Sequence, residues 1–151
     1  GRRGGLGVAE ALVAPTERLT QNLFICPRPI AQHAALACLE DDSLAEYERR
    51  RLEFKGRRDA FIPQLDAMGL AVPVVPDGAF YAWVDCSRAC ERLGVADSWD
   101  FAFELMKRAH VAVTPGRDFG SAQTRNFVRF STANSMAQLQ AAAGRLRAVL
   151  A

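Results

Sequence analysis

The stretch over residues 43–69 does most to limit what this chain can fold into. Ser43-Leu44-Ala45-Glu46 has the pattern of a capping box, in which a serine hydroxyl and a glutamate carboxylate satisfy backbone N–H groups that a first helical turn leaves unpaired. From there Leu44, Tyr47, Phe54, Phe61, Leu65 and Met68 follow at three- and four-residue spacing, interrupted by Arg51 and Arg58, until Gly69 supplies a stop. One long helix is expected, with Pro63 removing a hydrogen bond and kinking it near its last turns. Its apolar stripe has to be buried against another element.

The following sequence offers short extended pieces for that purpose. Residues 70–75 read as one, and after the turn Pro76-Asp77-Gly78 a strand is expected over 79–85, antiparallel to it. Asp97 or Ser98 can cap a helix running to about Ala109, with Phe101, Leu105 and Met106 on its buried side. Residues 111–113 and 126–131 read as strands, and Ser135-Met136-Ala137-Gln138 opens a last helix carrying Leu139, Leu146 and Leu150. The fold class expected is therefore α+β, a small, mainly antiparallel sheet with helices packed on one face.

The first thirty residues do not obviously belong to that unit. Residues 5–13 are small and apolar and predict a strand, with a helix from Ala14-Pro15-Thr16 to about Phe24. Cys26-Pro27-Arg28-Pro29 is expected to be extended, because each proline disfavours the α conformation in the residue before it, and a helix over 30–39 follows.

Composition narrows the chemistry. A chain of 151 residues, half apolar and a quarter charged, can build one core and lacks the signature of disorder. Nineteen basic residues against 17 acidic ones give +2, too even a balance to imply nucleic acid or a membrane as partner. No apolar stretch approaches the ~20 residues that span a bilayer, and the cytoplasm is the expected location. Cys26, Cys38, Cys86 and Cys90 form no Cys-x-x-Cys pair, so zinc and thioredoxin chemistry fit poorly. No metal site is expected. Lys55 and Lys107 are the only lysines, which leaves two candidates for Schiff-base chemistry. The start in Gly1-Arg2-Arg3-Gly4-Gly5, without a methionine, leads us to expect a fragment or a processed product.

Two segments stand out as candidate binding residues. Arg129 lies in Phe127-Val128-Arg129-Phe130, and an arginine in so apolar a strand is costly unless an anion or a hydrogen-bond fork receives it. A carboxylate matches its planar donors two for two. An edge-strand arginine that reaches solvent or pairs with Asp85 or Asp118 is the structural alternative. Residues 113–120, Val-Thr-Pro-Gly-Arg-Asp-Phe-Gly, are a strand end and turn, either a pocket wall or a connector. The arginines among residues 48–58 are interleaved with Glu48, Glu53 and other acids and read as a solvated helix face, and His33 and His110 read as structural.

Taken in order, four segments resemble the class I/II aminotransferases of the aspartate aminotransferase fold, fold type I. Gly1-Arg2-Arg3-Gly4-Gly5 is similar to the family's Gly-x-Arg-x-Gly stretch, and Pro76-Asp77-Gly78-Ala79-Phe80-Tyr81 to its Pro-x-Gly-(Ala/Gly)-(Phe/Tyr)-(Phe/Tyr) segment. Val113-Thr114-Pro115-Gly116, with Phe119-Gly120, is similar to its Val-x-Pro-Gly-x-x-Phe-Gly loop. Residues 127–133, Phe-Val-Arg-Phe-Ser-Thr-Ala, resemble its (hydrophobic)-x-Arg-(hydrophobic)-x-(Phe/Tyr)-Ala segment. The resemblance implies a pyridoxal 5'-phosphate enzyme that exchanges an amino group between an amino acid and a 2-oxo acid and works as a homodimer. It implies that Arg129 grips the substrate α-carboxylate and that Arg3 helps neutralise the cofactor phosphate. It also implies that residues 1–29 remain from the large cofactor domain and 30–151 form the small C-terminal domain. The family's Schiff-base lysine would precede Gly1, so no catalytic residue is expected within the chain. By itself the chain is expected to be inactive, without bound cofactor. A lyase or synthase using the same cofactor, or the aminotransferase-like sensor domain of a transcription regulator, are the alternatives that share these motifs.

Overall fold

The structure, a computed structural model, describes residues 7–151. The chain divides into two units, one up to Arg49 and one from Arg50 onward, and the long helix runs through the division.

The first unit is helical throughout its described part. Helix α1 spans Glu10–Leu23, α2 Pro29–Ala37, and α3 begins at Asp41 and ends at Ala67. Of the strand expected over 5–13, residues 7–9 have no regular structure and α1 takes the rest; residues 5 and 6 lie outside the described residues. Ala11 and Ala14 are the best helix formers, and Glu10 in the first turn complements the positive end of the helix, which outweighs the apolar run. Pro15 lies within the helix without ending it. The capping role expected of Ser43 is also displaced. α3 starts two residues earlier, with Asp41 and Asp42 in its first turn, and the Ser43 hydroxyl donates to the Ala37 carbonyl at 2.8 Å. No described residue before Arg50 is buried, and Leu12, Leu19, Leu23, Phe24, Ile30 and Leu39 all stand exposed.

The second unit is the α+β body. After α3 come β1 (Tyr81–Asp85), α4 (Ser87–Leu93), α5 (Ser98–Glu104), β2 (Thr114–Pro115), β3 (Phe127–Ser131) and α6 (Met136–Leu150). α5 runs on into a π-helical turn, Leu105–Ala109, and β2 into a 3-10 turn, Gly116–Phe119. The strands lie in the order β1-β3-β2, all antiparallel, with Trp83 and Thr114 both opposite Arg129. The segment expected to pair along 70–75 contributes a single bridge, Ala71 to Asp85.

Strand alternation sorts the side chains. Ala82, Val84, Val128 and Phe130 are buried and join Phe61, Leu65, Phe101, Leu105, Leu139 and Leu146 in one core. Phe101, Leu65, Leu105 and Leu146 are 0% exposed, and full burial of each such side chain contributes about 1.5–3 kcal/mol. Tyr81, Trp83, Phe127 and Arg129 occupy the alternate positions, half-buried or exposed. The Asp97 carboxylate accepts from the Trp99 and Asp100 backbone N–H groups and caps α5. α4 was not expected from the sequence; its left-handed C-terminal residue is Gly94, at φ 68°.

Candidate functional site

Arg129 sits on the central strand, so the edge-strand reading does not hold. Neither Asp85 nor Asp118 receives it, and among the described residues no carboxylate lies within ion-pairing distance of its guanidinium. Two rings hold that group instead. Its Cζ lies 4.0 Å from the centroid of Tyr81 and 4.7 Å from that of Phe119, and Nη2 donates a long 3.4 Å hydrogen bond to the Thr114 hydroxyl. Each ring presents a negative face to the cation and restricts its motion. Most of the five N–H donors of the fork are left without a protein acceptor among the described residues.

Around it the same face is aromatic. Trp83 stacks on Phe127 at 5.6 Å with the rings 5° from parallel, and meets Phe119 edge-on at 5.4 Å. A shallow cavity of about 290 Å³ adjoins this cluster, lined by Trp83, Phe127, Pro73 and Val74 among others. The loop over 113–120 therefore contributes Thr114 and Phe119 to the surroundings of Arg129 and is more than a connector. Gly116 makes that loop possible. A Cβ on it would lie 2.1 Å from the Thr124 carbonyl oxygen and 2.7 Å from that of Phe127, so only glycine allows the chain to return this closely. Beyond the loop, the Arg117 guanidinium covers the Trp99 ring at 3.1 Å.

Sequence reasoning singled out Arg129 and the loop but not the aromatic floor. Period-two alternation along Tyr81, Trp83, Phe127 and Arg129 is the signal that marks these residues as one face. Arg3 lies outside the described residues. Lys55 is ion-paired with Asp59 at 2.6 Å, and Lys107 with Glu104 at 3.5 Å, both on exposed helix surface. The hydrogen bond from Lys55, followed by that from Arg58, lowers the carboxyl pKa of Asp59. Cys86 and Cys90 are buried with sulfurs 3.7 Å apart, and Cys86 also meets the Asn126 carbonyl at 3.0 Å. The Cys90 hydrogen bond and burial push the Cys86 thiol far above its ordinary range. No group of three or more metal-ligating side chains occurs, and no helix is long and apolar enough to cross a membrane, among the described residues.

The family described as aminotransferase class I and II matches residues 1–146. The (5-formylfuran-3-yl)methyl phosphate transaminase of Methanocaldococcus jannaschii is 33% identical over 133 residues, covering 88% of this chain and 33% of the relative. The valine–pyruvate aminotransferase of Mycobacterium tuberculosis is 30% identical over 145 residues, 96% of this chain and 36% of that protein. Among solved structures, an aminotransferase from Mycobacterium tuberculosis superposes with a TM-score of 0.82 at 30% identity over 95% of this chain and 36% of its own. A tetra mutant of Thermus thermophilus aspartate aminotransferase superposes with a TM-score of 0.75 at 33% identity, over 92% of this chain and 36% of its own. The chain thus spans about a third of the length of the relatives it matches. By that family match, and by the fold it shares with these structures, the chain belongs to the class I and II aminotransferases.

Proposed function

We propose that this chain is the C-terminal part of a pyridoxal-phosphate-dependent aminotransferase, a homodimer that moves an amino group between an amino acid and a 2-oxo acid, and that Arg129 receives the substrate α-carboxylate. The observation that carries this reading is a guanidinium on the central strand that two rings and a hydroxyl hold in place while no acid among the described residues ion-pairs with it. A carboxylate docking there gains two parallel charge-assisted hydrogen bonds in a site already ordered by aromatic contacts. In this reading residues 1–29 remain from the large domain and 30–151 are the small one.

When bound, the cofactor supplies the electron sink for amino-group transfer. The described residues do not fit its covalent attachment, because both lysines of the chain are exposed and committed to ion pairs. We assign Arg3 to the cofactor phosphate on the strength of the family motif alone. The 151-residue polypeptide is accordingly inactive. Borohydride reduction after mixing with pyridoxal phosphate leaves no stoichiometric adduct at either lysine; such an adduct at Lys55 or Lys107 overturns this assignment.

The carboxylate role is tested in the protein whose C-terminal part this is. Arg129→Lys keeps the charge but loses the fork, and lowers kcat/KM for both the amino acid and the 2-oxo acid by roughly tenfold to a hundredfold. Unchanged kcat/KM for both substrates refutes the role of Arg129.

A further inference from the structure

A second cavity, of about 480 Å³ and partly polar in lining, lies between the end of β3, α6 and the segment after the π turn. That volume lies within the range of small-molecule pockets. Phe130 and Ser131 at the end of β3 both line this cavity, together with residues of α6, and Arg129 is not among its lining residues.

Its polar lining converges from three elements. Arg145, on α6, donates from Nε to the Ala109 carbonyl at 2.7 Å, which fixes the plane of the guanidinium at the end of the π turn. Both Nη groups then remain without a protein partner among the described residues. His110, in the left-handed conformation at φ 52°, follows that turn directly. Asn134 and Gln138 flank the start of α6, and neither side-chain amide is engaged within the described protein, because the Ser135 cap uses only the Gln138 backbone N–H. Phe130 and Leu139, 3% and 4% exposed, supply an apolar wall. Among the described residues no aspartate or glutamate lines the cavity.

We propose that this cavity binds a small monocarboxylate with a short apolar chain. The carboxylate takes the two free Nη groups of Arg145, the Asn134 and Gln138 amides donate to it or to a neighbouring oxygen, and the carbon chain lies against Phe130 and Leu139. A single guanidinium matches one negative charge, whereas a phosphate dianion would leave a charge uncompensated near an apolar wall. This site is independent of the reading of Arg129.

The test uses 1H–15N spectra of the 151-residue chain, titrated in parallel with sodium butyrate and sodium phosphate at constant ionic strength. Butyrate is expected to produce saturable shifts of the Asn134 and Gln138 side-chain amides and of Arg145 Nε–H, with phosphate binding at least tenfold more weakly. Arg145→Gln weakens butyrate roughly tenfold or more. Asn134→Ala, at an exposed side chain with no internal partner, weakens it several-fold without threatening the fold. Arg88→Gln, at an exposed arginine of α4 outside the cavity lining, leaves it unchanged. The proposal is overturned if butyrate shifts do not saturate, if they survive both Arg145→Gln and Asn134→Ala, if they vanish in Arg88→Gln, or if phosphate binds as well as butyrate.

Discussion

Substituting Gly116 tests whether the loop beside Arg129 is shaped by one close backbone approach. In Gly116→Ala the new methyl would lie 2.1 Å and 2.7 Å from two backbone carbonyl oxygens, both nearer than the 3.0 Å that real Cβ atoms keep. Gly116 is itself buried, so the methyl has no open direction in which to relax. Overpacking of this kind costs about 1–3 kcal/mol, and because the obstacles are main chain rather than a flexible side-chain end, the upper part of that range applies. With a urea slope of about 2 kcal/mol/M, a cost of ~3 kcal/mol lowers the unfolding midpoint by about 1.5 M. The comparison is Gly144→Ala in α6, where nothing lies within 4 Å of the added methyl and helix propensity favours alanine by about 0.5–1 kcal/mol. Urea unfolding followed by circular dichroism should therefore move in opposite directions for the two variants. Trp83 fluorescence adds a local readout, because Phe119 rests edge-on against that ring and moves with the loop. Equal midpoints for Gly116→Ala and the parent chain would refute the argument, since they would mean the 116–127 segment can shift at no cost.

Three further outcomes follow from the packing of the chain. Arg92 donates from Nη1 to the Leu150 carbonyl at 2.5 Å and from Nη2 to that of Met68 at 2.9 Å, tying the ends of α6 and α3 to α4. Arg92→Met keeps most of the stem and should lose about 2 kcal/mol in urea unfolding; a loss under about 0.5 kcal/mol would show the clasp to be incidental. The Asp59 pKa is lowered by Lys55 first and Arg58 second, so its contribution to stability is present above the ordinary carboxylate value of 3.8 and is lost as the pH falls through the lower folded value. Asp59→Asn should thus narrow its difference from the parent chain below that range and in high salt, and a difference independent of pH and salt would contradict the ion-pair origin. Finally, Cys26 and Cys38 are exposed while Cys86 and Cys90 are buried. Brief alkylation with iodoacetamide followed by peptide mass analysis should modify the first two and spare the second pair until the chain is unfolded, and uniform labelling of all four would contradict the packing around α4.

Local chemistry was legible in the sequence wherever one residue satisfies its neighbours. Ser135 caps α6 by accepting from the Gln138 backbone N–H, Asp97 caps α5, and Gly69 follows the end of α3 at φ 81°. Those signals act within four residues and need no partner from elsewhere. Where several local solutions compete, the sequence misled. Ser43 has the pattern of a cap but its hydroxyl donates to the Ala37 carbonyl six residues back, and of residues 5–13, expected to extend, α1 takes those from Glu10 onward. α4 was missed because seven residues carry too short a pattern to stand out, although Ala89 and Cys90 are buried. The strand expected at 111–113 appears instead at Thr114–Pro115, since a strand is defined by the partner it finds, and here the partner is β3.

The candidate site divides along the same line. The sequence alone determined that an arginine stands in an apolar strand, that a glycine-rich turn follows a short extended segment, and that the body of the chain is α+β. Only the tertiary structure decided that β3 takes the middle of the sheet, which brings Tyr81 from one stretch of chain and Thr114 and Phe119 from another around Arg129. Spacing along a chain encodes contacts between near neighbours, whereas strand order depends on which distant segments bury the same core face, and that preference is shared among many residues at once.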